Sequence, residues 1–211
     1  MRIVYHLIMN LYYFLLKFIT ILHLSVSEVN YEKPLISRGI PMIKRAKGAT
    51  IKIGKNLILN NSSRYNIAGI NHKCILAANQ KGALLEIGNN VGMSGVSIVA
   101  SEHIKIGNNV NLGANVCIFD TDFHSMDYMI RRNERFGERD IISEHIKSSP
   151  VIIENDVWVG ANVIILKGVT VGERSVIGAG SVVTKSLPKE CIAAGNPAKM
   201  IKKCIANVPE V

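Results

Sequence analysis

The sequence predicts a mainly β protein, a parallel β-helix whose short strands repeat every six residues. Branched aliphatic residues form one row at this spacing: Ile153, Val159, Ile165, Val171, Ile177 and Val183. Small or β-branched residues form a second row, four positions after each of the first five: Val157, Val163, Val169, Ser175 and Ser181. A period of six fits neither an α-helix nor an isolated alternating strand. It is typical of a solenoid in which tight turns join the strands and each coil stacks on the previous one.

Composition and charge agree with one domain that has a continuous stacked core. The 211 residues are 48% hydrophobic and 19% charged, which excludes bulk disorder. The net charge of +9 indicates either an ordinary solvated surface or an anionic partner, such as a polyanionic ligand or a membrane surface. The four cysteines, which show neither a C-x-x-C pair nor zinc-ligand spacing, are interpreted as reduced structural thiols of a cytoplasmic protein: Cys74, Cys117, Cys191 and Cys204.

The first 25 residues are apolar, with polar interruptions at Asn10, Lys17 and His23. This pattern predicts a hydrophobic helix, and two roles for it stay open. It packs on the domain or a partner subunit, or it lies on the cytoplasmic face of a membrane. The interruptions argue against a spanning helix, and the poor cleavage site argues against a signal peptide. Residues 31–47 contain two prolines and a glycine and are predicted to be a connector, so that 1–47 form an N-terminal segment.

The repeat domain is predicted to occupy residues 48–195, with a distorted start between residues 60 and 82 and one long interruption. Continuing the period from Ile118 would turn His124 inward, where an unpaired polar ring costs roughly 1–3 kcal/mol. We therefore predict that the chain leaves the coil near Phe119 and forms an inserted loop over 119–150. Loops of this length within a compact array are usually functional. After the domain, Asn196 and Pro197 resemble a helix start, which predicts a capping helix and tail over 196–211.

Two stretches of the repeat domain resemble the hexapeptide-repeat acyltransferases. They run over residues 155–172 and 176–185, and a Gly-Asn-Pro-Ala-Lys motif follows at 195–199. The sequence is most similar to the galactoside, maltose and polysaccharide O-acetyltransferases, strongly over 85–203, weakly over 50–84 and not over 1–47. The resemblance implies a left-handed β-helix, acetyl-CoA as donor, no metal, and a homotrimer with active sites in the clefts between subunits.

Transfer of an acetyl group to a hydroxyl needs a base, and histidine has a suitable pKa. The resemblance implies that His124 is this base. The sequence does not choose whether Asp120, Asp122, Asp127 or a backbone carbonyl orients its ring. Asn115 matches a position that binds the acceptor sugar in the family, although asparagine is also a common turn residue. Asp122 is a second candidate for contact with the acceptor.

The resemblance also implies a donor site. Trp158 is expected to point outward, either beside the acyl end of the donor or packed between subunits, and the backbone amide of Ala161 is expected to stabilise the oxyanion. The remaining predicted coenzyme A contacts are small residues beside the pantetheine arm and hydroxyl or cationic residues at the phosphates: Gly160, Ala179, Gly180, Thr184, Lys185, Lys199 and Lys202. Two of these family positions commonly hold arginine, and lysine lacks its bidentate geometry.

The resemblance therefore implies an acetyl-CoA-dependent O-acetyltransferase that acts on a sugar hydroxyl, in surface polysaccharide biosynthesis, with no nucleic-acid partner. The alternative is an N-acetyltransferase of an amino-sugar nucleotide. A zinc enzyme resembling the γ-type carbonic anhydrases, with ligands such as His103, His124 and His145, is disfavoured because the histidine pair of that family is missing. A scaffold without catalysis is disfavoured by the setting of His124.

Overall fold

The computed structural model describes residues 2–133 and 145–204, which form one helix followed by a three-sided β-helix. Helix α1 spans Arg2–Val26, as predicted. Sheet A comprises β1 (Asn30–Tyr31), β4 (Thr50–Ile53), β7 (Leu84–Ile87), β10 (His103–Ile106), β13 (Val151–Ile153) and β16 (Thr170–Val171). Sheet B comprises β2 (Leu35–Arg38), β5 (Leu57–Asn60), β8 (Gly92–Ser94), β11 (Asn111–Ala114), β14 (Trp158–Val159), β17 (Val176–Ile177), β19 (Cys191–Gly195) and β20 (Ala198–Lys203). Sheet C comprises β3 (Met42–Arg45), β6 (Ile75–Ala78), β9 (Ser97–Ala100), β12 (Cys117–Phe119), β15 (Ile164–Ile165) and β18 (Val182–Val183).

The predicted rows form the core of a left-handed parallel β-helix. Every member of the first row from Ile153 to Val183 is completely buried, and the second row is buried as well. Two serines of the second row are satisfied by hydrogen bonds within the core. The Ser175 hydroxyl donates to the Pro188 carbonyl over 3.0 Å, and the Ser181 hydroxyl donates to the Gly178 carbonyl over 2.6 Å. The fold prediction is therefore confirmed for this region.

The β-helix begins earlier than predicted, because residues 30–45 form its first coil. Strands β2 and β3 pair in parallel with β5 and β6 of the next coil. The prediction of a connector over 31–47 is therefore wrong. Pro34 lies between β1 and β2, and Pro41 lies between β2 and β3, so both prolines fall outside the ladders. Proline is compatible with a corner, where its missing amide proton is not needed by a strand.

Residues with a left-handed backbone stack at the corner between sheets A and B. Asn56, Asn90, Asn109 and Asp156 have φ angles of 59°, 57°, 56° and 58°. Each asparagine amide donates to the side-chain oxygen of the next corner residue, over 2.7, 2.9 and 3.0 Å. Asparagine and aspartate tolerate this conformation better than other residues with a Cβ, which explains their recurrence at the corner.

Glycines follow the aliphatic row because the next coil lies against them. A Cβ built on Gly107 would lie 2.7 Å from the Glu154 carbonyl carbon, and one on Gly88 would lie 2.6 Å from the Gly107 oxygen. No side chain fits at such distances without moving a neighbouring coil. These glycines therefore set the spacing between coils.

Two segments interrupt the coils. The first lies within the stretch between residues 60 and 82 that was predicted to be distorted, although Ile75–Ala78 of that stretch form the regular strand β6, and the second is the predicted inserted loop. Residues 61–74 leave the β-helix between β5 and β6 and include a short 3-10 helix at Ser63–Tyr65. Residues 120–150 leave it between β12 and β13, and their described part includes α2 (Tyr128–Asn133). Part of the predicted charge-dense middle of this loop, over 134–144, lies outside the described residues.

The predicted capping helix at the C-terminus is wrong for the described residues. After Gly195, whose φ is +107°, the chain reverses, and β20 pairs antiparallel with β19. The ladder satisfies the exposed edge of sheet B directly, so a helix is not needed to cover that edge. Residues 205–211 of the predicted tail lie outside the described residues.

Helix α1 contacts the β-helix only near its C-terminal end, among the side chains that are described. Thr20 and Leu24 are buried, whereas Leu7, Leu11, Phe14 and Phe18 are each more than half exposed. Among the described residues, no helix has the combination of length and hydropathy that crossing a membrane requires.

The close stacking of coils at Gly107 gives the first prediction. Gly107→Ala should lower the free energy of unfolding by roughly 1–3 kcal/mol, because the new methyl group overpacks against backbone that has no space to move. Gly82→Asn is the matched control. Its φ is +84°, and no described atom lies within 4 Å of the place where its Cβ would be. Chemical denaturation of both variants measures the effect, and equal stability of the two would contradict the role assigned to Gly107.

Candidate active site

The corner between sheets B and C carries a second stack of left-handed residues. Asn115, Asn162 and Gly180 have φ angles of 60°, 57° and 72°. The backbone N–H of Asn162 donates to the Ala114 carbonyl over 2.7 Å, and the backbone N–H of Gly180 donates to the Ala161 carbonyl over 2.8 Å. These bonds place Ala161 and Ala179, the residues before Asn162 and Gly180, directly above one another in successive coils.

Ala161 and Ala179 present backbone amides that make no hydrogen bond to any described residue. A glycine of the preceding coil lies against each of them, so no side chain covers either amide from that coil. A Cβ on Gly113 would lie 2.7 Å from the Ala161 nitrogen, and one on Gly160 would lie 2.6 Å from the Ala179 nitrogen. The two glycines thus keep a pair of stacked donors uncovered. Such donors suit carbonyl or oxyanion oxygens of a ligand that runs along the corner.

The outer face of sheet B adjoins this corner and carries Trp158, which is 58% exposed and points outward as predicted. Val176 and Ile192 continue its row across the sheet, and Lys202 pairs with Ile192. Lys199 pairs with Ala194, two residues after Ile192. Cross-strand partners point to the same face. Lys199 and Lys202 therefore share the outer face with Trp158.

The register shift between β19 and β20 is what places both lysines on that face. Residues three apart in a regular strand point to opposite faces. A register shift between Ile192 and Ala193 breaks the alternation, so Lys199 and Lys202 both lie opposite outward-facing residues. Sequence spacing alone would have separated them.

The other predicted residues lie at the opposite edge of sheet C, at its corner with sheet A. His124 and Asp122 follow β12, and Thr184 and Lys185 follow β18. His124, Thr184 and Lys185 are exposed. Within one chain, sheet C therefore lies between these residues and the amides of Ala161 and Ala179. The structure groups the predicted site residues into two halves and does not bring the halves together.

Asp120 holds together the two ends of the loop that carries His124, which we call the neck of the loop (residues 120 and 149). Its carboxylate is completely buried and accepts hydrogen bonds from the amides of Ser101 and Glu102, over 2.7 and 2.8 Å. Its carbonyl accepts from the Ser149 amide over 2.8 Å. Burial raises the pKa of Asp120, although these amides and that of His103 oppose the rise. From the sequence, Asp120 is only one possible partner of His124, and no local pattern predicts that it binds the preceding coil.

The three aspartates proposed to orient His124 all have other partners. Asp120 binds the two amides of the preceding coil, Asp122 pairs with Lys167 over 3.2 Å, and Asp127 accepts from the Met129 amide over 2.8 Å at the start of α2. The choice between these groups stays open. Among the described residues, no three histidine, cysteine or carboxylate side chains come together as a metal site would require.

Asn115 makes the contacts of a turn residue. Its side-chain oxygen accepts from the Asn71 amide over 2.8 Å, and its side-chain nitrogen donates to the Asn162 oxygen over 3.3 Å. A role in binding the acceptor remains a prediction. The contact with Asn71 shows that residues 61–74 also reach this corner. The sequence signalled that segment only as an irregular stretch.

Comparison with known proteins identifies the class of this fold. A family model described as the hexapeptide repeat of succinyl-transferase matches residues 103–119 and 150–185. A solved structure of AntD, an N-acyltransferase from Bacillus cereus, is similar in fold, with a TM-score of 0.62 and 22% identity over 86% of each chain. The fold is therefore that of the hexapeptide-repeat transferases.

Sequence relatives identify the family more narrowly. The chain is 39% identical to a Staphylococcus aureus (strain COL) protein provisionally named an acetyltransferase, over 66% of this chain and 78% of that protein. It is 38% identical to galactoside O-acetyltransferase of Escherichia coli, over 58% of this chain and 55% of that enzyme. The chain spans about half the length of the first curated relatives that it matches, 43% and 55%. It belongs to the hexapeptide-repeat acetyltransferase family.

The neck of the inserted loop gives the second prediction. Asp120→Asn should lower the free energy of unfolding by about 2 kcal/mol. The side chain of asparagine has one oxygen and one NH₂ group, so it can accept from only one of the backbone amides of Ser101 and Glu102, and its NH₂ group would face the other amide without a hydrogen bond. Asp127→Asn is the control, since its remaining oxygen still accepts from the Met129 amide. Thermal unfolding of both variants compares them. Identical midpoints would show that Asp120 does not hold the neck.

Proposed function

We propose that this protein is an acetyl-CoA-dependent O-acetyltransferase that acts on a sugar hydroxyl, and that it works in the biosynthesis of surface polysaccharide. The observation that carries the proposal is the pair of uncovered amides at Ala161 and Ala179, beside a face that bears Trp158 and two lysines. This arrangement fits a long acyl thioester with phosphates at its far end. Similarity to a galactoside O-acetyltransferase favours a sugar hydroxyl as the acceptor.

The donor would extend from the cationic end of sheet B to the amide of Ala161. Lys199 and Lys202 would bind its phosphates, together with Thr184 and Lys185. Gly160, Ala179 and Gly180 would let the pantetheine arm approach the backbone, and Trp158 would lie beside its acyl end. Acetyl-CoA is a donor substrate here and is consumed in each turnover.

His124 would act as the general base. Its imidazole takes the proton from the acceptor hydroxyl as the oxygen attacks the thioester carbonyl. The amide of Ala161 donates to the oxygen on which negative charge develops, an interaction worth on the order of 3 kcal/mol. As the carbon–sulfur bond breaks, the imidazolium returns the proton to the departing thiolate, and an acetyl ester remains on the acceptor.

The two halves of the site support a homotrimer as the active form. His124, Thr184 and Lys185 follow sheet C at its corner with sheet A, whereas Ala161 and Ala179 lie at its corner with sheet B. A neighbouring copy would supply the missing half at each cleft. Asn115 and Asp122 would then contact the acceptor from the two sides.

Helix α1 supports a peripheral position on the cytoplasmic side of a membrane. Leu7, Leu11, Phe14 and Phe18 present apolar surface that the β-helix does not cover. The first turn of the helix contains no acidic residue, and the chain carries a net charge of +9. Both properties favour an anionic lipid surface. A lipid-linked sugar would meet the enzyme there.

The third prediction concerns the general base. With radiolabelled acetyl-CoA and a panel of methyl galactoside, methyl glucoside, maltose and dTDP-4-amino-4,6-dideoxyglucose, the wild-type protein should acetylate a hydroxyl. His124→Ala should reduce kcat by a factor of about 10² to 10⁴ without changing the KM for acetyl-CoA. The control is His145→Ala, which replaces an exposed histidine of the same loop and should retain full activity.

The outcomes of this assay separate the alternatives. Near-normal turnover of a folded His124→Ala variant would remove this residue as the base. Acetylation of the amine alone would replace O-acetylation by N-acetylation, and no transfer to any of these acceptors would overturn the proposed function. A variant that loses its circular dichroism spectrum would give His124 a structural role.

The fourth prediction concerns helix α1. The wild-type protein should float with vesicles that contain phosphatidylglycerol, whereas a Phe14→Glu, Phe18→Glu variant should remain at the bottom of the gradient. Each buried phenylalanine is worth about 1.5–3 kcal/mol, so the double change should reduce binding more than tenfold. Failure of the wild-type protein to float, with altered trimer assembly in the variant, would assign the helix to subunit packing.

A further inference from the structure

The segment 61–74 leaves the β-helix at the same corner as the proposed thioester site. It connects β5 of sheet B to β6 of sheet C, as the turn of Ala161 connects β14 to β15. The long loop that carries His124 instead connects sheet C to sheet A. Of the two insertions, only 61–74 therefore arises at the corner that bears the uncovered amides.

The segment folds along this corner toward the amides. The Asn71 amide donates to the Asn115 side chain over 2.8 Å and so reaches two coils beyond the one from which the segment leaves. Between these coils, a Cβ on Gly95 would lie 2.7 Å from the His72 carbonyl oxygen and 2.9 Å from the Ile70 Cβ. The segment is thus packed against Gly95 and hydrogen-bonded to Asn115.

The imidazole ring of His72 makes one hydrogen bond in this position. Its Nδ1 lies 2.8 Å from the Lys73 carbonyl oxygen. A carbonyl can only accept, so Nδ1 is the donor in this bond, and Nε2 is the nitrogen that can accept a hydrogen bond when Nδ1 alone carries a proton. Among the described residues, none is hydrogen-bonded to Nε2, and the bond made by Nδ1 is exposed. Nε2 is therefore available to accept a hydrogen bond from a ligand beside the corner, where the His72 carbonyl packs against Gly95.

The order of groups along the corner indicates which part of a bound substrate would lie near His72. The lysines of β20 lie at one end, followed by Ala179, Ala161, Asn115 and then the segment 61–74. Neighbouring strands are about 4.8 Å apart, so Gly95 lies on the order of 10 Å beyond Ala161. A donor that places its phosphates at the lysines and its thioester at Ala161 leaves the space before His72 for the acceptor.

We propose that segment 61–74 forms a wall of the acceptor site and that His72 determines acceptor specificity, by accepting a hydrogen bond from a sugar hydroxyl through Nε2. The inference rests on the proposed function and adds a substrate-recognition residue to it. The hydroxyl that His72 binds is not the one that reacts, because His124 supplies the base. Acceptors that lack this second hydroxyl are poor substrates of the wild-type protein.

The test compares His72→Leu and His72→Gln with the wild-type protein, using the best acceptor of the sugar panel and its monodeoxy analogues. In His72→Leu, kcat/KM for the acceptor should fall about tenfold, since the lost hydrogen bond is worth about 1.4 kcal/mol. His72→Gln should recover part of the loss through its side-chain oxygen. The KM for acetyl-CoA should not change in either variant.

One deoxy analogue identifies the contact. The analogue that lacks the bound hydroxyl should react equally well with the wild-type protein and with His72→Leu, whereas the other analogues should keep the tenfold difference. His103→Leu is the control, because His103 pairs with Glu86 on sheet A, away from the corner. His103→Leu should leave kcat/KM unchanged for the sugar acceptor and for each of its deoxy analogues.

A second variant displaces the segment without altering its residues. Gly95→Ala would force the His72 carbonyl away from the corner, and it should raise the acceptor KM while leaving the KM for acetyl-CoA unchanged. If His72→Leu and Gly95→Ala both retain the wild-type acceptor KM, the inference is overturned and O-acetyl transfer stands. If the wild-type protein acetylates no sugar of the panel, the proposed function fails, and this inference fails with it.

Discussion

The distance between successive coils is the constraint on which the rest of this structure depends. Each strand lies one ladder spacing from the next, so every corner must fit into the corner above it. Gly107 has no room for a Cβ, and Asn109 turns the chain with a φ of 56° while its amide extends a ladder of side chains. A strict period of six follows from this geometry, because each coil must bring the same residue classes to the same positions.

The proposed donor site is a product of the same constraint. Glycines at 113 and 160 are required by the neighbouring coils, and they leave the amides of Ala161 and Ala179 uncovered. A corner that is needed for the stacking of coils thus also exposes backbone N–H groups that could bind a ligand. Within one chain, however, sheet C lies between His124 and these amides. Assembly of several copies is the physical solution that the proposed function uses.

Insertions enter the structure only where the ladders end. Segment 61–74 and the loop after Phe119 both start at corners, and polar contacts fasten each of them to a neighbouring coil. Asp120 binds the amides of Ser101 and Glu102, and Asn71 binds Asn115. The coils supply a rigid frame, and the two segments supply groups that differ from the repeat. The chemistry and the specificity proposed for this protein both depend on these fastened segments.

The sequence by itself determined the repeat: the row from Ile153 to Val183, the exit near Phe119 and the outward Trp158 all followed from local periodicity. Tertiary structure decided the first coil over 30–45, the pairing of β20 with β19, and the register shift that places Lys199 and Lys202 on one face. It also decided the contact of Asn71 with Asn115, 44 residues away. Periodicity reports which side chains are buried, whereas strand-edge pairing and contacts between distant segments depend on which backbone groups meet in space, and no local pattern records that.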